Sequence, residues 1–135
     1  CGALFGEAVV IVNENLKKDF RYYIKQRGAM LAKGKLLGIQ FDTLFEKDLY
    51  FKICKQAVDL AIKIKEAAID KGYTLLYNSF TNQQFIIVPN IRLEELEKDF
   101  VFLRWEKIDE NNTAVRICTS WATTEENVDK LIEKM

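Results

Sequence analysis

With 135 residues, 49% of them hydrophobic, and 20 basic against 20 acidic side chains, the chain is sized for one domain with its own core. It has no net field to attract nucleic acid or an anionic membrane. Histidine is absent, which excludes any Ser-His or Cys-His mechanism carried by this chain alone.

The segment from Glu7 to Val12 is a continuous β-branched run, predicted as a strand covered on both faces. Such a strand needs neighbours that the nearby sequence does not supply, so the chain reads as a piece of a longer protein. Asn13 or Asn15 can cap a helix with the apolar stripe Leu16, Phe20, Tyr23 and Ile24, ended by Gly28. A second helix is expected over about Met30–Phe45, with Met30, Leu37, Phe41, Leu44 and Phe45 on one side. Gly34 and Gly38 share a face that permits close approach of another backbone. A third helix, about Asp48–Lys71, carries Ile53, Ala57, Leu60, Ala61, Ile64 and Ala68 inward and stops at Gly72.

Strands follow at Tyr73–Tyr77 and Gln83–Val88, joined by the polar stretch Asn78–Asn82. Pro89-Asn90 ends the second, and Leu93–Lys98 reads as a short acidic helix. Phe100–Ile108 and Thr113–Ser120 form a predicted hairpin across the turn residues Asp109–Asn112. Thr123 or Thr124 caps a last helix with Val128, Leu131, Ile132 and Met135 facing inward. Three divisions result: 1–28, a strand and helix from a larger sheet; 29–72, connecting helices; and 73–135, a compact α+β unit. Cys1, Cys54 and Cys118 are too scattered for a disulfide framework or a zinc site, and a reducing cytoplasm is expected. No apolar run reaches membrane-spanning length, so no membrane partner is expected either.

Arg116 is the leading candidate for chemistry. Alternation puts Val115 and Ile117 on one face of its strand and Ala114, Arg116 and Cys118 on the other. A permanent charge between two small side chains needs an anionic partner, and the strand supplies none. That partner is either a distant Asp or Glu or the carboxylate of a ligand, for which a guanidinium offers a planar fork. A two- or four-residue loop within Asp109–Asn112 places Trp105 opposite Arg116, where its ring could hold the guanidinium; a three- or five-residue loop breaks that pairing.

The basic segment Lys25–Lys35 carries Lys25, Arg27 and Lys33 around a glycine-broken junction, able to hold a phosphate or simply solvated at helix ends. Asn82-Gln83-Gln84-Phe85 reads as a turn at the mouth of a strand. Phe85, Phe100, Phe102 and Trp105 lack the basic stripe of an RNA-stacking sheet and read as core.

Three segments together resemble the C-terminal part of the low-specificity threonine aldolases, β-eliminating lyases of the fold-type I pyridoxal-phosphate group. They are Cys1-Gly-Ala-Leu-Phe-Gly-Glu-Ala-Val-Val-Ile, Lys25-Gln-Arg-Gly-Ala-Met-Leu-Ala-Lys-Gly-Lys-Leu-Leu-Gly-Ile-Gln-Phe and Val115-Arg-Ile-Cys-Thr-Ser-Trp-Ala-Thr. The resemblance implies the small C-terminal domain of such an enzyme, an antiparallel sheet with helices on one face, plus a strand and helices from the end of the large domain. It implies a homo-oligomeric parent that uses pyridoxal 5'-phosphate to cleave β-hydroxy-α-amino acids into glycine and an aldehyde, with Arg116 binding the substrate α-carboxylate. It also implies that the Schiff-base lysine would stand immediately before Cys1, so the chain alone is expected to be inactive and to hold no cofactor. Lys25 lies near a family lysine at the Gly-rich turn, whereas the arginine of the family's Gly-Gly-Gly-Met-Arg-Gln version has no counterpart at Leu31. This leaves Lys25, Arg27 and Lys33 as candidates for a cofactor-phosphate or neighbouring-subunit contact. The alternatives are a tryptophanase-like β-eliminating enzyme and a non-enzymatic α+β binding module.

Overall fold

The computed structural model describes residues 2–135; Cys1, the first residue of the assigned N-terminal region and of the resembling segment, lies outside them. The chain divides into two compact units, Gly2–Tyr50 and Phe51–Met135. The sequence reading drew its divisions after residues 28 and 72 instead. Nearly all of the third helix lies in the second unit.

In the first unit, the β-branched run at 7–12 forms no strand. Val9, Val10 and Val12 are exposed, because a strand is stable only when its backbone groups and side chains find neighbours. The Leu4 N–H donates to Gln40 Oε1 at 2.7 Å, and a Cβ at Gly6 (φ +97°) would collide with Leu37, so the chain passes tightly along a helix there. Asn13 caps as expected, accepting from the Asn15 N–H, but only a 3-10 turn, Glu14–Leu16, follows. After Asp19 (φ 56°) the backbone resumes as α1, Phe20–Gln26, which ends at Gly28 (φ 71°). The second helix is α2, Lys35–Phe45, shorter at its start than 30–45. Leu44 is buried and Leu37 and Phe41 are half-buried along its inner stripe, while Met30 and Phe45 are exposed. Within this chain no backbone closes on the face shared by Gly34 and Gly38: the space at Gly38 is open, and Gly34 meets only the nearby Leu31 carbonyl.

The second unit is an α+β fold built on a four-stranded antiparallel sheet in the order β1-β2-β4-β3. It begins within α3, Leu49–Asp70, which buries Ala57, Leu60, Ala61, Ile64 and Ala68. That helix closes on Gly72 (φ 85°) with the Tyr73 N–H bonded to the Ala68 carbonyl and the Gly72 N–H to that of Ile69, both at 2.9 Å. This paired closure satisfies carbonyls that a helix end leaves free. The strands are β1, Thr74–Tyr77; β2, Gln83–Pro89; β3, Leu103–Lys107; and β4, Asn112–Cys118. Two helices complete the unit: α4, Asn90–Leu96, and α5, Glu125–Lys134, whose Thr124 cap accepts from the Asn127 N–H. Ile86, Val88 and Val115 of the sheet pack with Leu60, Ile64, Leu93, Leu96, Val128 and Leu131, so all three helices cover one face. Lys63 of α3 pairs with Asp129 at 2.6 Å and Glu125 at 2.9 Å of α5.

The far end of β4 is clamped by its loop. Asn82 Nδ2 donates to the Thr119 carbonyl at 2.7 Å, the Thr119 N–H donates back to the Asn82 carbonyl at 3.0 Å, and Thr119 Oγ1 donates to the Ala57 carbonyl at 2.6 Å. At the other end, Asp109 Oδ1 accepts from the backbone N–H groups of Asn111 and Asn112 at 2.7 and 2.8 Å and anchors the β3–β4 turn.

Two outcomes follow from these anchors. Thr119→Val keeps the shape of a buried side chain and removes its bond to α3, so thermal or urea unfolding should show a loss of about 1 kcal/mol. The Asp109 carboxyl is held below its ordinary value, chiefly by the Asn112 side-chain amide and then by the Asn111 N–H. A depressed folded pKa means that its contribution is complete above the unfolded value of about 3.9 and is lost as pH falls through the lower folded one. Stability measured from pH 7 to pH 2 should therefore decline less steeply at the acid end in Asp109→Asn than in the parent chain.

Candidate functional site

Alternation along β4 delivers Arg116 to the sheet face opposite the helices. In that row the pairings are Tyr77 to Phe85, Phe85 to Arg116, and Arg116 to Leu103, one residue from each strand. The rings pack edge to face, Tyr77 to Phe85 at 5.3 Å and Phe85 to Trp105 at 5.1 Å between centroids. Arg116 Cζ lies 5.3 Å from the centre of the Trp105 ring. The guanidinium thus sits in an aromatic surface, where cation–π attraction offsets part of its lost hydration.

The contact with Trp105 is made, but not by the direct pairing that an even loop would give. The turn is odd: Asp109–Asn111 is closed by the Ile108 N–H donating to the Asn112 carbonyl at 3.1 Å, with Lys107 opposite Thr113. Continued unchanged, that register would place Trp105 opposite Val115, on the helix-covered face. A bulge between Arg104 and Glu106 shifts the pairing by one, so that Arg104 meets Val115 and Leu103 meets Arg116. Trp105 is the residue at the bulge, and its ring lies on the Arg116 side. β3 also starts later than expected, at Leu103, because Phe100 and Phe102 turn away to pack against the helix-side core.

Among the described residues, Arg116 has no ion pair and no hydrogen bond; its Nε is closed off from solvent without an acceptor. Among the described residues no acid neutralises it. A cleft of about 420 Å³ opens along the end of β4 on the helix-covered side, between Ile64, Ile117, Thr119, Val128, Leu131 and residues 99–102; Arg116 borders it only along the strand, since its side chain lies on the other face.

Lys25, Arg27 and Lys33 lie in the other unit, all exposed, and among the described residues none has an ion pair or side-chain hydrogen bond. Two features escaped the sequence reading. Lys65 is buried on α3 with only neutral acceptors, Asn78 Oδ1 at 3.3 Å and the Ser79 carbonyl at 3.1 Å, and with the Phe80 ring 4.6 Å away. Its position on the Ala61, Ile64 and Ala68 stripe was the available signal. The other is the Asn82–Thr119 clamp, three residues beyond Arg116. Asn82 reads as turn chemistry in the sequence, yet the β2–β4 register brings it opposite Thr119. Among the described residues Cys54 and Cys118 are free thiols, no cluster of metal-ligating side chains occurs, and no helix is long and apolar enough to cross a membrane.

No family model matches the chain. It is 24% identical, over 96% of its length, to a low-specificity L-threonine aldolase of Pseudomonas aeruginosa, of which it covers 37%. Its fold matches a threonine aldolase structure from Leishmania major with a TM-score of 0.81 and 38% identity, over 91% of this chain and 36% of that one. The chain thus spans little more than a third of the length of these relatives. In sequence and in fold alike, it matches the C-terminal part of a threonine aldolase.

Proposed function

We propose that this chain is the carboxylate-anchoring part of a pyridoxal-phosphate-dependent aldehyde-lyase that cleaves β-hydroxy-α-amino acids to glycine and an aldehyde, and that Arg116 holds the substrate α-carboxylate. The observation that carries the reading is a half-buried guanidinium without an acidic partner, set in a row of aromatic side chains. An α-carboxylate supplies the missing counter-charge through two charge-assisted hydrogen bonds. Fixing the carboxylate also fixes rotation about Cα, which sets the alignment of the bond to Cβ. The likeness to threonine aldolases supports the substrate class.

In this reading the second unit supplies the substrate end of such a site. In the whole enzyme the cofactor would accept the electron pair released at Cα. Lys25, Arg27 and Lys33 remain candidates for contact with its phosphate or with a neighbouring subunit of a homo-oligomer.

In the full-length enzyme carrying this chain, Arg116→Ala should lower kcat/KM for threonine by at least about a hundredfold, because two charge-assisted bonds are lost. Arg116→Lys, which keeps the charge without the fork, should fall between Ala and the parent enzyme. The melting temperature of the same Arg116→Ala sample should move little. A large loss of stability with near-normal kinetics would overturn the role.

The 135-residue chain alone should release no glycine from threonine, since it spans only about a third of the length of its relatives. Glycine formation by the pure chain, followed by chromatography, would contradict this.

A further inference from the structure

We infer that Trp105 is a positioning residue for Arg116, and that it leaves the guanidinium able to take a carboxylate only end-on, through Nη1 and Nη2. This deepens the reading of Arg116 given above and rests on it.

A guanidinium can grip a carboxylate from its end, through both Nη atoms, or from its side, through Nε and one Nη. The neighbouring arginine on β3 shows the second mode: Arg104 Nε donates to Glu97 Oε1 at 2.9 Å and Nη2 donates to Oε2 at 2.5 Å. Arg116 has that edge closed. Its Nε is shut off from solvent and has no acceptor, whereas neither Nη atom is both buried and unsatisfied. The ring of Trp105 lies 5.3 Å from Cζ, and Phe85, paired directly with Arg116, meets Trp105 edge to face.

The bulge is what makes this arrangement possible. Without it Trp105 would face the helices and could not meet the guanidinium of Arg116. Bulges of this kind re-aim a side chain next to a site. Trp105 is still 45% exposed, so it is not spent on the core. Its ring provides an attractive plane without the acid that would compete with a substrate carboxylate.

The test is made in the full-length enzyme, using the glycine Kd from calorimetry, kcat/KM for threonine and the melting temperature on the same samples. Trp105→Leu should weaken glycine about tenfold, and Trp105→Phe, which keeps a π face, should stay within about threefold of the parent. Trp105→Leu should cause no further loss of kcat/KM in an Arg116→Ala background. An unchanged glycine Kd in Trp105→Leu, or an equal loss with and without Arg116, overturns the inference. If Arg116→Ala alone leaves kcat/KM intact, the reading of Arg116 fails instead. Should Trp105→Leu not fold, a crystal structure of the parent enzyme with glycine decides: both carboxylate oxygens on Nη1 and Nη2 uphold the end-on grip, and an oxygen on Nε refutes it.

Discussion

A charge that cannot be switched off, held in a sheet face without an acid to neutralise it, is the constraint around which the second unit is arranged. That charge is the guanidinium of Arg116, which no acid among the described residues pairs. An internal carboxylate would stabilise it and also occupy it. The fold uses an aromatic ring instead, Trp105, itself packed edge to face on Phe85, which attracts a cation without taking its hydrogen bonds. The remaining architecture keeps that surface clear. Helices α3, α4 and α5 all pack on the opposite face, and the polar anchoring of β4 sits at its ends, in the Asn82–Thr119 clamp and the Asp109 turn.

The parts legible in the sequence were those set by local chemistry. Gly72 ended α3 because a left-handed residue was needed there, and Thr124 capped α5 because its hydroxyl can reach an N–H three residues on. Alternation on β4 put Arg116 and Val115 on opposite faces without any tertiary information. What failed was non-local. The run at 7–12 has strand composition, but no other strand lies beside it among the described residues, and propensity alone does not hold a strand together. The parity of the β3–β4 turn was beyond reach as well: Asp109–Asn112 identifies a turn but does not say how many residues cross it. Lys65 was hidden by its own type, since a lysine on a buried stripe declares itself only when the loop at 78–80 folds over it.

The two units differ in how they satisfy their apolar residues. Phe51–Met135 has a contiguous core in which Ile64, Ile86, Leu93 and Val115 are almost wholly enclosed. In Gly2–Tyr50 only Leu44 is buried among the large apolar side chains described, while Leu4, Val10, Val12, Ile39 and Tyr22 stand in water. A core of that size contributes little free energy, so the first unit should open locally at far lower cost than the second.

The odd turn and the bulge at Trp105 are one feature expressed in two places. Each alone reverses which way the β3 side chains face; together they cancel, and Leu103 and Trp105 lie with Arg116 while Arg104 reaches Glu97 beneath the sheet. The two should therefore be inherited as a pair. A homologue that gains or loses one residue in this turn must also lose the bulge, or else its tryptophan and arginine will lie on opposite sides of the sheet. In an alignment, turn length would then predict whether the aromatic residue stands at position 105 or one place to either side of it.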